Sequence, residues 1–296
     1  MLRALITCAA LMLPAFTAPG VAQTTPDAPL QAQVVPNSAL ARENPDLHAL
    51  FQAMGLYDVL EIMSIEGIEY GQDLEAEMFP GQGGAAWRAI VSRIYNLDRL
   101  TSAFETALPA DAFSEEEFAD LAAFFASDIG QRIVEGEVVA RREIMDPVVE
   151  EAANIIYREE LAAMSPRLEL LETFNDANSL VDLNVAGALN SNFAFYRGLA
   201  DGDAFEIDLP EDIMLAEIWG QEPEIREETV LWLYSYQLMA YDELSDADLQ
   251  AYIDLSNSSA GQALNRALFA AFDAMFEAVS YDLGAAAALF VAGEET

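Results

Sequence analysis

The sequence predicts an all-α fold made of two duplicated helical domains built around tight αα-hairpins. From Asp46 onward, apolar residues recur at spacings of three and four along almost the whole of the 296-residue chain, which is the period of an amphipathic helix. Alternating β-branched runs, which would indicate strands, are few. The segment ASDIGQRI at 126–133 is also echoed by NSSAGQAL at 257–264, at the same point of two helical patterns.

The first 22 residues are typical of a secretory signal peptide. They have an early cation at Arg3, an apolar stretch from 4 to 16, and small residues around the predicted cleavage point after Ala22. Pro14 interrupts the apolar stretch, which is shorter than the roughly 20 residues that span a bilayer. We therefore expect an exported protein of the bacterial periplasm or medium, with no transmembrane segment after signal cleavage.

Residues 23–45 predict a flexible linker, because proline, small and polar residues follow one another there without a lasting period. The chain then divides near residue 165 into helical domains at 46–165 and 166–292. Proline and glycine set most of the predicted helix ends. The predicted helices are 46–54, 56–78, 85–107, 115–126, 128–145, 147–164, 167–176, 179–199, 211–219, 224–241, 246–257 and 259–290.

Each hairpin repeat begins with a predicted capping box. Ser114 and Ser245 can each accept a hydrogen bond from the backbone N–H three residues further on. Glu117 and Asp248 stand at those positions and can bond back to the serine. Apolar residues at helical spacing follow in both copies and predict that the first helix of each hairpin buries one side only.

The return helix of each hairpin begins at a second predicted cap. Ser127 and Ser258 stand at the helix starts, where their hydroxyls can accept a backbone bond. Gly130 and Gly261 fall on the first helical turn, where a missing side chain lets the two helices approach closely. A glutamine follows at equivalent positions, and capping does not account for it: Gln131 and Gln262.

The two hairpins resemble the bacterial domain of unknown function 2059, a small all-α domain of exported proteins. The first copy has the aromatic pair, serine, glycine and glutamine of that signature at 124–131, whereas Leu255 and Ser256 replace the aromatic pair in the second. Family members often have proline after the serine, where this chain has Asp128 and Ser259. The resemblance implies two tandem copies in an envelope-localised helical protein, and it supplies no catalytic residues.

Composition excludes several classes of catalyst. The single cysteine, Cys8, lies in the predicted signal peptide, so the mature chain has no disulfide and no cysteine metal ligand. The single histidine, His48, leaves no two-histidine zinc site and no Ser-His-Asp triad beyond one built on it. We expect no metal and no cofactor, and we find no recognisable catalytic constellation.

The charge balance is strongly acidic. Fifty-one acidic residues face thirteen basic residues, all arginine, for a formal charge of −38. Such a surface repels phosphate backbones, so we expect no nucleic-acid partner. The same carboxylates either keep the protein soluble in a salty environment or recruit a cation or a basic partner.

Residues 180–203 are the best candidate binding segment, because polar residues interrupt an otherwise apolar helix there. Asn190 and Asn192 are poor helix formers, so another interaction should hold them in place. Together with Tyr196 and Arg197 they could line a groove for an anionic or sugar-like ligand. In the alternative interpretation the amides satisfy buried polar groups at a close helix contact, and the arginine pairs with a carboxylate.

The leading functional hypothesis is a non-enzymatic envelope protein that binds another protein or a cell-wall component through helical surfaces. One alternative is a carboxylate-dependent hydrolase of an envelope polymer, for which Glu61, Glu66 and Glu69 on one helix are candidate acid/base groups. Another is a small-ligand carrier that uses the 180–203 segment. Two buried carboxylates facing each other across a cleft would favour the hydrolase, and an apolar groove without them would favour binding.

Overall fold

The chain folds into helices throughout its described part, residues 38–205 and 210–291 of a computed structural model. The described residues contain no strand, which confirms the all-α prediction. The predicted signal peptide and residues 23–37 of the predicted linker lie outside the described residues. The helices are α1 (Leu40–Glu43), α2 (Pro45–Ala53), α3 (Leu56–Met78), α4 (Gly84–Ile94), α5 (Leu97–Ala107), α6 (Glu115–Phe125), α7 (Asp128–Glu143), α8 (Pro147–Ala163), α9 (Pro166–Asn178), α10 (Leu180–Asp201), α11 (Glu211–Trp219), α12 (Glu222–Ala240), α13 (Asp246–Asn257) and α14 (Ser259–Val291).

Residues 38–45, the last part of the predicted linker, are held against the helical body. Ser38 is buried, and its Oγ donates a hydrogen bond to Glu105 Oε1 on α5 at 2.5 Å. The Leu40 backbone N–H donates to the other carboxylate oxygen at 3.1 Å, and the Tyr57 hydroxyl on α3 donates to Glu105 Oε1 at 3.0 Å. Glu105 therefore joins the first described residues to both α3 and α5.

The predicted helix 85–107 is two helices in the structure, α4 and α5. Asn96 has an extended backbone and caps α5, because its side chain accepts a hydrogen bond from the Arg99 backbone N–H at 3.2 Å. Just before it, the Tyr95 carbonyl accepts a hydrogen bond from Ser64 Oγ on α3 at 2.5 Å. A strong capping residue and a tertiary contact thus end α4 in the middle of a continuous apolar pattern.

Helices before and after residue 165, called here the first and second half, pack into each other. In the second half, α12 packs on α7 and α8 of the first, and α14 packs on α4, α5 and α6. The largest core cluster accordingly combines side chains of both halves, among them Leu60, Trp87 and Phe104 with Phe195 and Met275. The two halves share one hydrophobic core.

The tightest helix pair is α10 with α14, and small residues allow it. A Cβ atom at Gly198 of α10 would collide with the Tyr281 carbonyl of α14, and one at Gly284 of α14 would collide with the Phe195 carbonyl. By length and composition, α14 is also the one helix among the described residues that is long and apolar enough to cross a membrane, and 44% of its most apolar window is buried. It packs against α4, α5, α6, α10 and α13.

Candidate functional site

The four residues predicted to line a groove on α10 lie on different faces of that helix. Asn192 and Tyr196, one turn apart, are buried, whereas Asn190 and Arg197 are exposed. The Arg197 guanidinium lies over the ring of Phe193, with Cζ 5.9 Å from the ring centroid. The structure therefore does not bring these four side chains together.

The capping boxes of the two hairpins have matching geometry. The Glu117 backbone N–H donates to Ser114 Oγ at 3.3 Å, and the Ser114 backbone N–H donates to a Glu117 carboxylate oxygen at 2.9 Å. In the second hairpin the same two bonds join Asp248 and Ser245 at 3.2 and 3.1 Å. These four residues stabilise the starts of α6 and α13 and do not form a binding pocket.

The second pair of serines begins α7 and α14. Ser127 Oγ accepts a hydrogen bond from the Gly130 backbone N–H at 3.1 Å, and Ser258 Oγ accepts one from the Gly261 N–H at 3.1 Å. A Cβ atom at either glycine would collide with a backbone carbonyl of the preceding helix. The serine caps the helix, and the glycine lets the hairpin close.

The two signature glutamines connect each hairpin to an earlier helix. Gln131 Nε2 donates to the Ala53 carbonyl at the end of α2 at 3.0 Å, and Gln262 Nε2 donates to the Ala177 carbonyl near the end of α9 at 2.8 Å. Each amide also donates to the carbonyl six residues before it, at 2.5 and 2.8 Å respectively. The glutamines thus tie the first hairpin to α2 and the second hairpin to α9.

A partly enclosed cavity of about 340 Å³ lies where the two halves meet. Its walls come from α3, α6 and α7 in the first half and from α9, α10, α12, α13 and α14 in the second. Apolar side chains contribute much of the lining, among them Val59, Met63, Leu183, Leu264, Leu268 and Phe272. Such a volume and lining suit a small apolar molecule.

The lining also includes Glu137, which is hydrogen-bonded by tyrosines. The Tyr241 hydroxyl donates to Glu137 Oε1 at 2.6 Å, and the Tyr252 hydroxyl also bonds to this carboxylate. The Tyr236 hydroxyl donates to the Glu137 backbone carbonyl at 3.1 Å. Burial raises the pKa of the Glu137 carboxyl to about 7, although the two side-chain hydrogen bonds lower it. This group can therefore take up or release a proton near neutral pH.

A buried ion pair lies one turn further along α7. Arg141 and Glu66 of α3 are joined at 2.5 Å between guanidinium and carboxylate, and their side chains are only 6% and 13% exposed. The Arg141 guanidinium, which also lines the cavity, lies 5.2 Å from the ring centroid of Trp232. Glu66 neutralises the positive charge of Arg141, and burial raises the pKa of the Glu66 carboxyl although Arg141 lowers it.

The residues that line the cavity come mostly from outside the segment predicted to bind. Only Leu180, Leu183, Asn184, Gly187, Ala188 and Ser191 of α10 reach it. The sequence does carry one overlooked signal, because Glu137 and Arg141 interrupt the stripe of α7 that buries Ile133, Val134 and Val138. A carboxylate on an apolar stripe needs a local partner, and here the partners are phenols from α12 and α13.

The cavity can bind apolar surface, accept hydrogen bonds at Glu137 and exchange a proton there. Asp273 of α14 is the other carboxylate among the described lining residues, and burial raises its pKa. Within residues 38–205 and 210–291, no group of three histidine, aspartate or glutamate side chains is placed to hold a metal ion.

Comparison with known proteins found a similarity for one segment of the chain. No curated protein and no solved structure matched the chain. The matching segment contains α6, α7 and most of α8, and thus the first hairpin with Glu137 and Arg141. Residues 107–159 match the family described as an uncharacterized protein conserved in bacteria, DUF2059.

Proposed function

We propose that this protein binds a small apolar or amphiphilic molecule in the cavity between its two halves. The observation that carries the proposal is the cavity itself, of about 340 Å³, whose lining combines many apolar side chains with Glu137 and its tyrosines. Clefts of this size with a few convergent polar groups are the usual small-molecule sites of proteins. The proposal keeps the carrier hypothesis but moves its site from the surface of α10 to the cavity.

Titration with a neutral naphthylamine dye, whose fluorescence rises in apolar surroundings, tests the proposal. We expect saturable binding to the chain that begins at Gln23. Ala188→Phe should weaken binding about tenfold or more, because Ala188 lines the cavity and the larger ring would fill it.

Ala186→Phe is the matched control, since Ala186 lies two residues away on α10 but is exposed. It should leave dye binding unchanged. Equal affinities of the two variants, or no saturable binding by the native chain, would contradict the proposal.

Contact with another protein or with a cell-wall component is the second candidate function. It is favoured by α8, where apolar side chains face solvent: Val148 is 77%, Ile155 46%, Ile156 48% and Leu161 55% exposed. Exposed apolar patches of this kind are typical of interaction surfaces. If the cavity binds no probe, this surface becomes the leading candidate.

Two further proposals concern origin and location. The second hairpin, α13 and α14, is proposed to be a tandem copy of the matched domain, which the paired capping and glutamine bonds support.

Export to the bacterial envelope is proposed from the signal-like residues 1–22. Cleavage after Ala22 would give an N-terminus at Gln23, which mass spectrometry of the exported protein would reveal.

A further inference from the structure

Glu137 is a carboxylate that lacks a counter-ion on the wall of the cavity. In the part of the chain that the structure describes, no arginine forms an ion pair with it. Arg141, one turn further along the same helix, is engaged by Glu66. Burying an unpaired carboxylate is costly, so the site favours either a proton on Glu137 or a cation beside it.

The two tyrosines whose hydroxyls bond to this carboxylate belong to an aromatic cluster with Phe174. The ring centroids of Phe174 and Tyr252 are 4.8 Å apart, those of Phe174 and Tyr241 6.0 Å, and those of Tyr241 and Tyr252 6.3 Å. All three rings line the cavity, together with Glu137. Aromatic faces next to a carboxylate are the groups with which proteins recognise ammonium ions.

We propose that the ligand of the cavity is an amphiphile with an ammonium group, which pairs with Glu137 while its apolar part packs against α3, α10 and α14. This inference rests on the proposed function. An anionic head group would meet Glu137 and Asp273, and the one arginine on this wall is already paired. A neutral head group would leave the carboxylate without a counter-ion.

Cation binding should release a proton. Below about pH 7 the Glu137 carboxyl is protonated, and pairing with an ammonium ion favours its ionised form, so the proton passes to solvent. The phenols of Tyr236, Tyr241 and Tyr252 face Glu137 from α12 and α13, and burial raises their pKa well above its ordinary value. They stay protonated, as donors, throughout this range. Asp273 also faces the cavity, so the variants below separate its proton from that of Glu137.

Isothermal titration calorimetry with three probes of equal chain length tests the inference: decyltrimethylammonium, decanol and decanoate. We expect the ammonium probe to bind about tenfold tighter than decanol, and decanoate to bind weakest. At about pH 6, titrations in two buffers of different ionisation enthalpy should show proton release with the ammonium probe and none with decanol.

Glu137→Gln should abolish both the ammonium preference and the proton release while leaving decanol binding intact. Glu135→Gln is the matched control, because Glu135 lies on the exposed side of α7 and the two variants have the same net charge. Non-specific attraction of cations to this acidic protein would weaken equally in both variants, and that result would overturn the inference.

Tyr252→Phe keeps the carboxylate and the ring but removes one hydrogen bond that lowers the pKa of Glu137. Proton release by the ammonium probe should therefore extend to higher pH, and an unchanged release profile would overturn the inference even if Glu137→Gln fails to fold.

Binding of decanol without any ammonium preference would refute the inference alone. Binding of none of the probes would refute the proposed function as well.

Discussion

Arg141 and Arg142 are neighbours in the sequence, yet the fold places them in opposite environments. Arg141 is 6% exposed and is joined to Glu66 by a hydrogen bond of 2.6 Å and an ion contact of 2.5 Å, whereas Arg142 is 43% exposed and lies 3.6 Å from Glu61. A buried charge that loses its partner is strongly destabilising, because the remaining charge stays without solvent. An exposed pair contributes little, because water and salt screen it.

Replacing the two arginines separately tests this contrast. Arg141→Met should lower the free energy of unfolding by about 3 kcal/mol or more, because it leaves Glu66 buried and unpaired. Arg142→Met should lower it by less than about 1 kcal/mol. Urea denaturation followed by circular dichroism measures both.

Adding Glu66→Met to Arg141→Met should recover part of the lost stability, since neither partner then leaves a buried charge. Equal losses for the two single variants would show that the buried pair contributes no more than the surface pair.

At the scale of the element, α10 and α14 lie so close together that a methyl group decides whether they fit. Gly198 faces the backbone of α14, where a Cβ atom would meet the Tyr281 carbonyl. Gly187, on the same helix, faces only the Asp273 side chain, which can rotate away. The same substitution should therefore cost much more at Gly198 than at Gly187, three turns away.

Gly198→Ala should reduce the free energy of unfolding by about 2 kcal/mol, because the helices must separate to admit the methyl group. Gly187→Ala should change it by no more than about 1 kcal/mol, because the gain in helix propensity offsets a small side-chain shift. Thermal and urea unfolding of both variants give the comparison. If Gly198→Ala left the free energy of unfolding unchanged, the two helices would be able to adjust their spacing.

At the scale of the molecule, helices of each half pack against helices of the other half. In addition to α12 and α14, the two hairpins touch directly: the Phe124 ring stacks on Tyr252 with centroids 5.8 Å apart, and Arg132 lies 2.9 Å from Asp248. The cavity depends on this arrangement, because each half supplies only part of its wall. We therefore expect the halves to unfold together.

Single-tryptophan variants test that expectation. One variant keeps Trp87 in α4 and the other keeps Trp232 in α12, with the remaining tryptophans replaced by phenylalanine. In each variant the fluorescence transition in urea should coincide with the loss of helical circular dichroism, because the half that contains the remaining tryptophan does not unfold independently of the other half. A fluorescence transition clearly separated from the circular dichroism transition would indicate two independently folding domains.

Much of the local structure could be read from the sequence because its determinants are close along the chain. The helical period and the proline and glycine breaks act within a few residues of one another. The sequence predicts one helix where α4 and α5 are separate, because the apolar period continues through Asn96. The hydrogen bond from Ser64 to the Tyr95 carbonyl joins residues far apart in the chain, so the local pattern does not reveal it.

The candidate site was less accessible to sequence reasoning. Asn190, Asn192, Tyr196 and Arg197 are close together in the sequence of α10. In the structure two of them lie on its buried face and two on its exposed face, so they do not form one site. Glu137 has its main hydrogen-bond partner 104 residues away, in Tyr241. Only the position of Glu137 on an apolar stripe could have identified it beforehand.

The sequence alone determined that this chain is helical, because helix periodicity and capping depend on neighbours within one or two turns. The tertiary structure alone decided that α12 and α14 cross to the other half and enclose a cavity, because shared burial of apolar faces depends on contacts far apart in the chain. The same long-range packing placed Glu137 and its tyrosines on one wall, and with them the chemistry proposed for the site.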